Sequence, residues 1–573
     1  MRLIRYRSLV ALIVALIAPA AHASAADADV DPIRALQLDY VAKSKEKAPR
    51  AFHFGSQGPG DVFSNHDSHT NRLIPVYTFG PTLDLGAVTG SNSLYRDAAK
   101  VRKLYGALPE NTVNPDAQYA DQSDLYRVMK EAVGRGAKHL FVIWFDGMDW
   151  ETTRAAAIVK SGQVYGSGKG SGLSFQDADA GGSARFGWYV TSPSHEWKAS
   201  DVDSQRPPTW LGGGYDAEVA GPDPWTLGPL GAKAPGYLKG QSATDAELKA
   251  IRDAGRVVHA YTDSAPSAGE FATGVKSYNH GINVGEDGKP LPTLFNELQE
   301  KSGWKVGTVT SVPFDHASPA AFYAHNAIRD DYQDLGRDML GLPGIAQDGT
   351  AKLKDAAHAG LDVVIGVGLG HEGKPEELAK QGKNAVKGNL FLAEEDLEKI
   401  DVRNGGKYVI ARRTPGVEGR AGLVDAAAQA ARGGKRLFGF YGGTDKDHLP
   451  YRTADGQYDP VHGIRGKAET YTPADLRENP TLAEMTTAAL AALSADPKVP
   501  FALFVEAGDV DFALHDNNLD NAVGAVLSGD EAVKIILDWV DAHGGWADSA
   551  LIVTADHGHY LVLDDPKALI SPR

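Results

Sequence analysis

Ser264 stands in the string Thr262-Asp263-Ser264-Ala265-Pro266-Ser267-Ala268, after a strand-like run, Arg256–Ala260, and before a helix-compatible run of small residues. A serine so placed sits at a helix N-terminus. There the backbone N–H groups and the helix dipole favour an anion. That setting suits a nucleophile attacking a phosphate. An isolated D-S-A string is more often a plain helix cap. The chemical reading gains weight because Asp/His clusters recur elsewhere, each just after an apolar run.

The first such cluster is Asp146-Gly147-Met148-Asp149, which follows Leu140–Phe145. A carboxylate there can reach a metal while glycine turns the chain, although a lone D-G is commonly only a turn. Glu506, Asp511 and His515 follow Ala502–Val505. Asp511 and His515, four residues apart, share one face of a helical turn and can grip one ion; a surface or capping interaction explains such a pair equally well. Asp556, His557 and His559 follow Leu551–Thr554, and adjacent Asp and His at a strand end are hard to explain as packing. Together these strand-end groups of oxygen and nitrogen donors point to a multi-metal site.

The elements that must position them alternate. Leu140–Phe145 precedes the helix-like Trp150–Val159, Trp304–Val309 precedes Pro319–Asn326, and Ala502–Val505 precedes Asn521–Val540, with Leu551–Thr554 after it. This predicts an α/β fold with a central, mostly parallel sheet flanked by helices. Sites in such sheets lie at the carboxyl ends of strands. The expected organisation is a signal peptide over 1–23, an N-terminal extension over 24–136 and a catalytic domain over 137–573. Two insertions are expected in that domain. One, about 161–245, is rich in Gly, Pro, Trp and Ser and reads as a lid or crown near the site. The other, about 345–470, is irregular apart from one strand at Leu437–Tyr441. Gly166-Ser167-Gly168-Lys169-Gly170 lacks the spacing of a phosphate-binding loop.

Met1–Ala23 has a basic start, an apolar run and Ala21-His22-Ala23, the pattern of a secretory signal, and the run is too short to span a bilayer. No later stretch is long and apolar enough to do so. The expected location is therefore periplasmic or secreted. The 573 residues contain no cysteine, which excludes disulfides and Cys-zinc sites. The net charge is −16, and it falls by three to −19 without Arg2, Arg5 and Arg7. That argues against a nucleic-acid-binding surface and is compatible with several divalent cations. A phosphate substrate then needs local positive charge.

In order along the chain, these residues resemble the alkaline phosphatase family. The family's metal aspartate resembles Asp146 in F-D-G-M-D. Its nucleophile motif resembles Thr262–Ala268 with Thr273-Gly274-Val275-Lys276-Ser277-Tyr278-Asn279. Its D-A-T-P-A-A motif resembles His316-Ala317-Ser318-Pro319-Ala320-Ala321, with Arg329 eleven residues after Ser318. Its E-G-x-x-I-D-x-x-x-H motif resembles Glu506 through His515, and its T-A-D-H motif matches Thr554–His557. The resemblance runs from about residue 138 to the end.

It implies two zinc ions and one magnesium, and hydrolysis of small phosphate monoesters through a phosphoserine on Ser264. Asp146 would bridge one zinc and the magnesium, with Asp556 and His557 completing that zinc's ligands. Asp511 and His515 would hold the other zinc. Ser318 and Glu506 would join Asp146 on magnesium. Arg329 would clamp two phosphate oxygens. A homodimer is compatible with this reading. Read from the residues alone, Arg329 also suits an exposed helix end, and Ser318 an N-cap before Pro319.

Three departures stand out. Ser318 replaces threonine and keeps the hydroxyl. His316 lies where members carry aspartate or histidine; it would tune magnesium or bind phosphate through water, and an ordinary loop histidine is an equal reading. The family's third histidine for the Asp511/His515 zinc lies well beyond T-A-D-H, whereas this chain ends sixteen residues after His557. That predicts a truncated C-terminus or a variant zinc site; His559 lies near, but the family does not normally use it as that ligand. The competing readings are a phosphodiesterase or sulfatase on a related fold, or a degenerate metal- or phosphate-binding protein.

Overall fold

The computed structural model describes residues 31–44, 50–55, 73–88, 93–105, 108, 113, 120–189, 263–277, 281–285, 289–326, 328–344, 355–381, 384–443, 446–464, 466–559 and 561–570. The expected signal segment and the expected strand Arg256–Ala260 lie outside them.

Eleven strands are present among the described residues: β1 (Phe52–Phe54), β2 (Ile74–Phe79), β3 (His139–Phe145), β4 (Arg185–Tyr189), β5 (Lys305–Pro313), β6 (Val363–Val367), β7 (Tyr408–Arg412), β8 (Arg436–Phe440), β9 (Phe501–Ala507), β10 (Ser549–Thr554) and β11 (Leu561–Leu563). Nine form one sheet in the order β4-β2-β10-β3-β9-β5-β6-β8-β7, and β1 pairs with β11 separately. From β10 to β7 every pairing is parallel; β2 and β4 add an antiparallel margin. The fold is α/β. The parallel strands read as continuous apolar runs because helices cover both faces: β3 is HLFVIWF and β9 is FALFVEA, with nearly every side chain buried.

Register fixes the site's floor. Thr554, Trp144, Glu506 and Thr310 lie side by side on β10, β3, β9 and β5. The chain leaves these four neighbouring strands at one edge of the sheet, so the residues just beyond each strand converge there. A buried aromatic group secures the Ser264–Thr273 helix behind that edge. Phe271 of the helix meets Trp144 edge-on at 4.9 Å, and Phe322 stacks on Phe504 at 4.1 Å.

Strands of the sheet also occur inside the expected N-terminal extension and both expected insertions. Residues 24–136 contribute β2, which sits between β10 and β4. Residues 161–245 contribute β4. Residues 345–470 contribute β6, β7 and β8, not one strand alone. These strands have five or six residues each, too few for a period to show, and β6 (VVIGV) and β8 (RLFGF) are broken by glycine. Conversely, the helix expected over Pro319–Asn326 is the short Ala317–Ala321.

Because β2 covers the flank of β10, a chain starting at residue 137 exposes the backbone of a buried strand. We expect that shortened chain to be recovered as aggregate, whereas the full chain melts cooperatively. A soluble 137–573 chain with a cooperative melt would show that β2 is dispensable.

Candidate active site

Ser264 opens a ten-residue helix, with Asp263 as its N-cap through a bond from the Ala265 N–H to Asp263 Oδ1 at 3.3 Å. The Ser264 hydroxyl is buried and lies 3.1 Å from His557 Nε2 and 3.5 Å from Asp146 Oδ1. The nucleophile candidate therefore meets two of the expected metal ligands directly. Arg329 reaches the same place from the other side: its Nη1 donates to Asp263 Oδ1 at 2.6 Å. The residue beside the serine thus holds the arginine.

Four carboxylates gather below. Asp146 follows β3, Glu506 ends β9, Asp511 lies one turn into the Asp509–His515 helix, and Asp556 follows β10. His557 Nε2 lies 3.3 Å from Asp146, 3.4 Å from Asp556 and 3.7 Å from Asp511. Asp556 is held by the N–H groups of Gly147 at 2.9 Å and His557 at 3.0 Å, both to Oδ1. Its Oδ2 is buried without a hydrogen-bond partner. Burial, then Asp556, Asp511 and Glu506, push the Asp146 carboxyl well above its usual range. Burial pushes Glu506 up to about 8, with the Thr310 and Ser318 hydroxyls pulling the other way. Asp146 and Glu506 are thereby disfavoured as anions unless a cation joins them.

The donors fit such cations. Asp146, Asp556 and His557 each offer a ligand atom within 4.8 Å of the others, all three buried. Two carboxylates and an imidazole suit zinc. The bare Asp556 Oδ2 is an acceptor with nothing to accept. Asp146, Glu506 and the Ser318 hydroxyl beside it form an all-oxygen set suited to a harder ion.

Asp511 differs from the other acids. Burial alone would raise it, yet His515, His559 and His557 hold it well below the usual range. His515 Nε2 lies 3.4 Å from Asp511 Oδ2, and His559 Nε2 lies 2.5 Å from Oδ1. The shorter distance is a hydrogen bond, and Asp511, His557 and His559 together offer three buried ligand atoms within 4.8 Å of one another. Burial lowers His559 to about 3, so at neutral pH its ring is uncharged and its Nε2–H donates to Asp511. His559 therefore contacts Asp511 directly. His316 stacks on Tyr332 with ring centres 5.9 Å apart. Burial and the Arg329 charge lower it to about 4.

All nine residues expected from the sequence thus meet in one region, linked through Asp146, Asp263, His557, Asp511 and Glu506. Three contributors lacked a clear signal. Thr310 donates to Glu506 Oε2 at 2.5 Å, but lies inside a strand and looks like core. Asp263 reads as a cap and is also the arginine's partner. His559 had a signal, its alternate spacing from His557, without showing which atom it would touch.

A model of the alkaline phosphatase family matches residues 243–567. Streptomycin-6-phosphate phosphatase of Streptomyces griseus is 28% identical over 356 residues, covering 60% of this chain and 71% of that protein. Alkaline phosphatase of Escherichia coli (strain K12) is 30% identical over 315 residues, covering 54% and 60%. Alkaline phosphatase H of Pseudomonas aeruginosa (strain UCBPP-PA14) is 30% identical over 300 residues, covering 52% and 57%. The chain spans about 60% of the length of the two alkaline phosphatases. Among solved structures, that of Thermus thermophilus alkaline phosphatase aligns with a TM-score of 0.41 at 21% identity, covering 74% of this chain and 60% of that one.

Gly147 has a backbone φ of +73°, and a Cβ there would lie 2.7 Å from His559 Cδ2 and 3.2 Å from Asp511 Oδ1. Gly147→Ala should displace the His559–Asp511 pair and lower catalytic efficiency about a hundredfold, the scale of an ångström misplacement. Gly544→Ala, at φ +105° with open space around it, controls for backbone strain alone. Equal phosphate-release kinetics for the two variants would show that Gly147 is not needed for its closeness.

Proposed function

The chain belongs to the alkaline phosphatase family, and from that premise we propose that it is a metal-dependent phosphomonoesterase with Ser264 as nucleophile. The observation that carries the reading is the Ser264 hydroxyl at a helix N-terminus, 3.1 Å from His557 and facing Asp146. Asp146, Asp556 and His557 would hold one zinc. Asp511 and His515 would contribute to a second, with Asp511 steered by His559. Asp146, Glu506 and Ser318 would hold magnesium. When bound, these ions would lower the serine pKa and stabilise charge on the departing oxygen.

The chain's own groups do the rest. Arg329, anchored on Asp263, offers a planar fork to two phosphate oxygens beside the serine. The helix dipole favours the incoming anion. Ser264 Oγ bonds to phosphorus as the ester oxygen leaves and becomes an alcohol. Water then attacks the phosphoserine, releasing inorganic phosphate and restoring the hydroxyl. A cavity of about 410 Å³ borders His515 and Phe512 and carries Lys446 and Lys467. We assign it to the leaving group, because His515 is the site histidine that is one-third exposed. Export follows from the Met1–Ala23 pattern as part of this proposal. Among the described residues no helix is long and apolar enough to cross a membrane.

Ser264→Ala should cut monoester hydrolysis at least about a thousandfold while metal content stays the same. Mass spectrometry of acid-quenched wild-type turnover should find phosphate on Ser264. Near-normal turnover in the metal-loaded variant would end the covalent reading.

Arg329→Ala should weaken inhibition by inorganic phosphate by about 2–3 kcal/mol, the scale of a charge-assisted contact. Diester hydrolysis should fall less. An unchanged phosphate inhibition constant would remove Arg329 from the clamp.

A further inference from the structure

A second group of metal-ligating side chains lies away from this site. His325, Asp338 and His358 offer three ligand atoms within 4.8 Å of one another. They come from three places. His325 follows the Ala317–Ala321 helix, Asp338 lies in the last turn of the Tyr332–Leu340 helix, and His358 lies on the chain leading into β6. Nothing in the proposed phosphatase chemistry uses them.

Their hydrogen bonds fix which ring nitrogens carry protons. His325 Nε2 lies 3.0 Å from the Leu291 carbonyl oxygen, an acceptor only, so that nitrogen carries the proton. The ring's other nitrogen, Nδ1, lies 3.5 Å from Asp338 Oδ2. His358 Nδ1 lies 2.8 Å from Glu300 Oε1, which fixes its proton there and leaves Nε2 as the lone-pair atom. A ligating histidine whose second nitrogen is tied to a carbonyl or carboxylate is the usual arrangement around a bound metal. Asp338 Oδ2 accepts from the His325 backbone N–H at 3.0 Å. Its Oδ1 is buried with no hydrogen-bond partner, in a residue more than nine-tenths buried. The two imidazoles stack with centres 4.9 Å apart, and His358 is the more exposed of the pair.

We propose that His325, Asp338 and His358 form a structural site for a divalent transition metal, with zinc the best match to two imidazoles and one carboxylate. Its place in the fold gives it a purpose. His325 and Asp338 bracket the segment that carries Arg329, and His358 ties both to the lead-in of β6. The ion fastens the arginine's segment to the sheet from behind, without touching substrate.

Zinc is the probe. The full-length protein is stripped with chelator, loaded with zinc, dialysed and analysed for metal per chain. His358→Ala and Asp338→Asn should each hold one zinc fewer than wild type while keeping its far-UV circular dichroism. Glu300→Gln, which removes only the carboxylate behind His358, should weaken the same site about 10–100-fold. An Asp556→Ala/His557→Ala protein, crippled at the proposed catalytic zinc, should keep this ion, so the two assignments are tested separately. In wild type, zinc should slow amide exchange over residues 325–340 and 355–362, and in His358→Ala it should not. Equal zinc content in wild type, His358→Ala and Asp338→Asn would overturn the site and leave the cluster as a His–Asp ion pair.

Discussion

Asp146, Glu506, Asp511 and Asp556 are brought together at the ends of β3, β9 and β10, three adjacent strands of one sheet. Neighbouring strands sit about 4.8 Å apart, so side chains at their ends have no way to avoid one another. Four ionised carboxylates at that spacing, out of water, repel by far more than any single hydrogen bond supplies. The rest of the site is a response to this crowding. His557 stands among three of the acids, backbone N–H groups face Asp556, and hydroxyls face Glu506. The charge these leave uncompensated is what the proposed metal ions would match. In a chain of net charge −16, that demand is not met by generally basic surroundings.

The same crowding explains why the site needs so much support from behind. A cluster that repels itself stays in place only if each member is fixed independently. Asp556 is held by two N–H donors, Glu506 by its position within β9 and by Thr310, and Asp511 by His559. The Ser264–Thr273 helix is seated both on aromatic packing against Trp144 and on the Ser267 hydroxyl, which donates to the Asp556 carbonyl oxygen at 2.8 Å. Preorganisation of this kind means little has to move when an anionic substrate arrives.

The sequence made the central half of this legible and the margins obscure. β3, β9 and β10 are apolar runs followed by Asp/His or Asp/Glu clusters, so both the parallel sheet and the carboxyl-edge location of Asp146, Glu506, Asp511 and Asp556 could be read directly. β2 and β4 could not, because they are antiparallel additions with mixed composition in turn-rich stretches. β6, β7 and β8 are too short for a period to declare itself. Within the site, residue type indicated which side chains are candidates for metal or phosphate. It did not indicate which ones hold the others. Thr310 in a strand and His559 beside His557 acquire their roles from partners 196 and 48 residues away in sequence, and local pattern carries no such information.

Asp263 shows how the charge constraint and the chemistry are joined. One carboxylate oxygen caps the helix that begins with Ser264 and also accepts from Arg329. If the helix start shifts, the arginine shifts with it, so Ser264 and Arg329 keep their spacing. A guanidinium has five N–H donors, and the bond to Asp263 uses one, leaving enough for two phosphate oxygens. The pairing also keeps the arginine from turning into the acid cluster, where Asp146 attracts it. An arginine drawn down there would neutralise the acids in place of the metal ions. Held on Asp263, it leaves the acids to the metal ions proposed for them and stays beside the serine, where the proposed phosphate would bind.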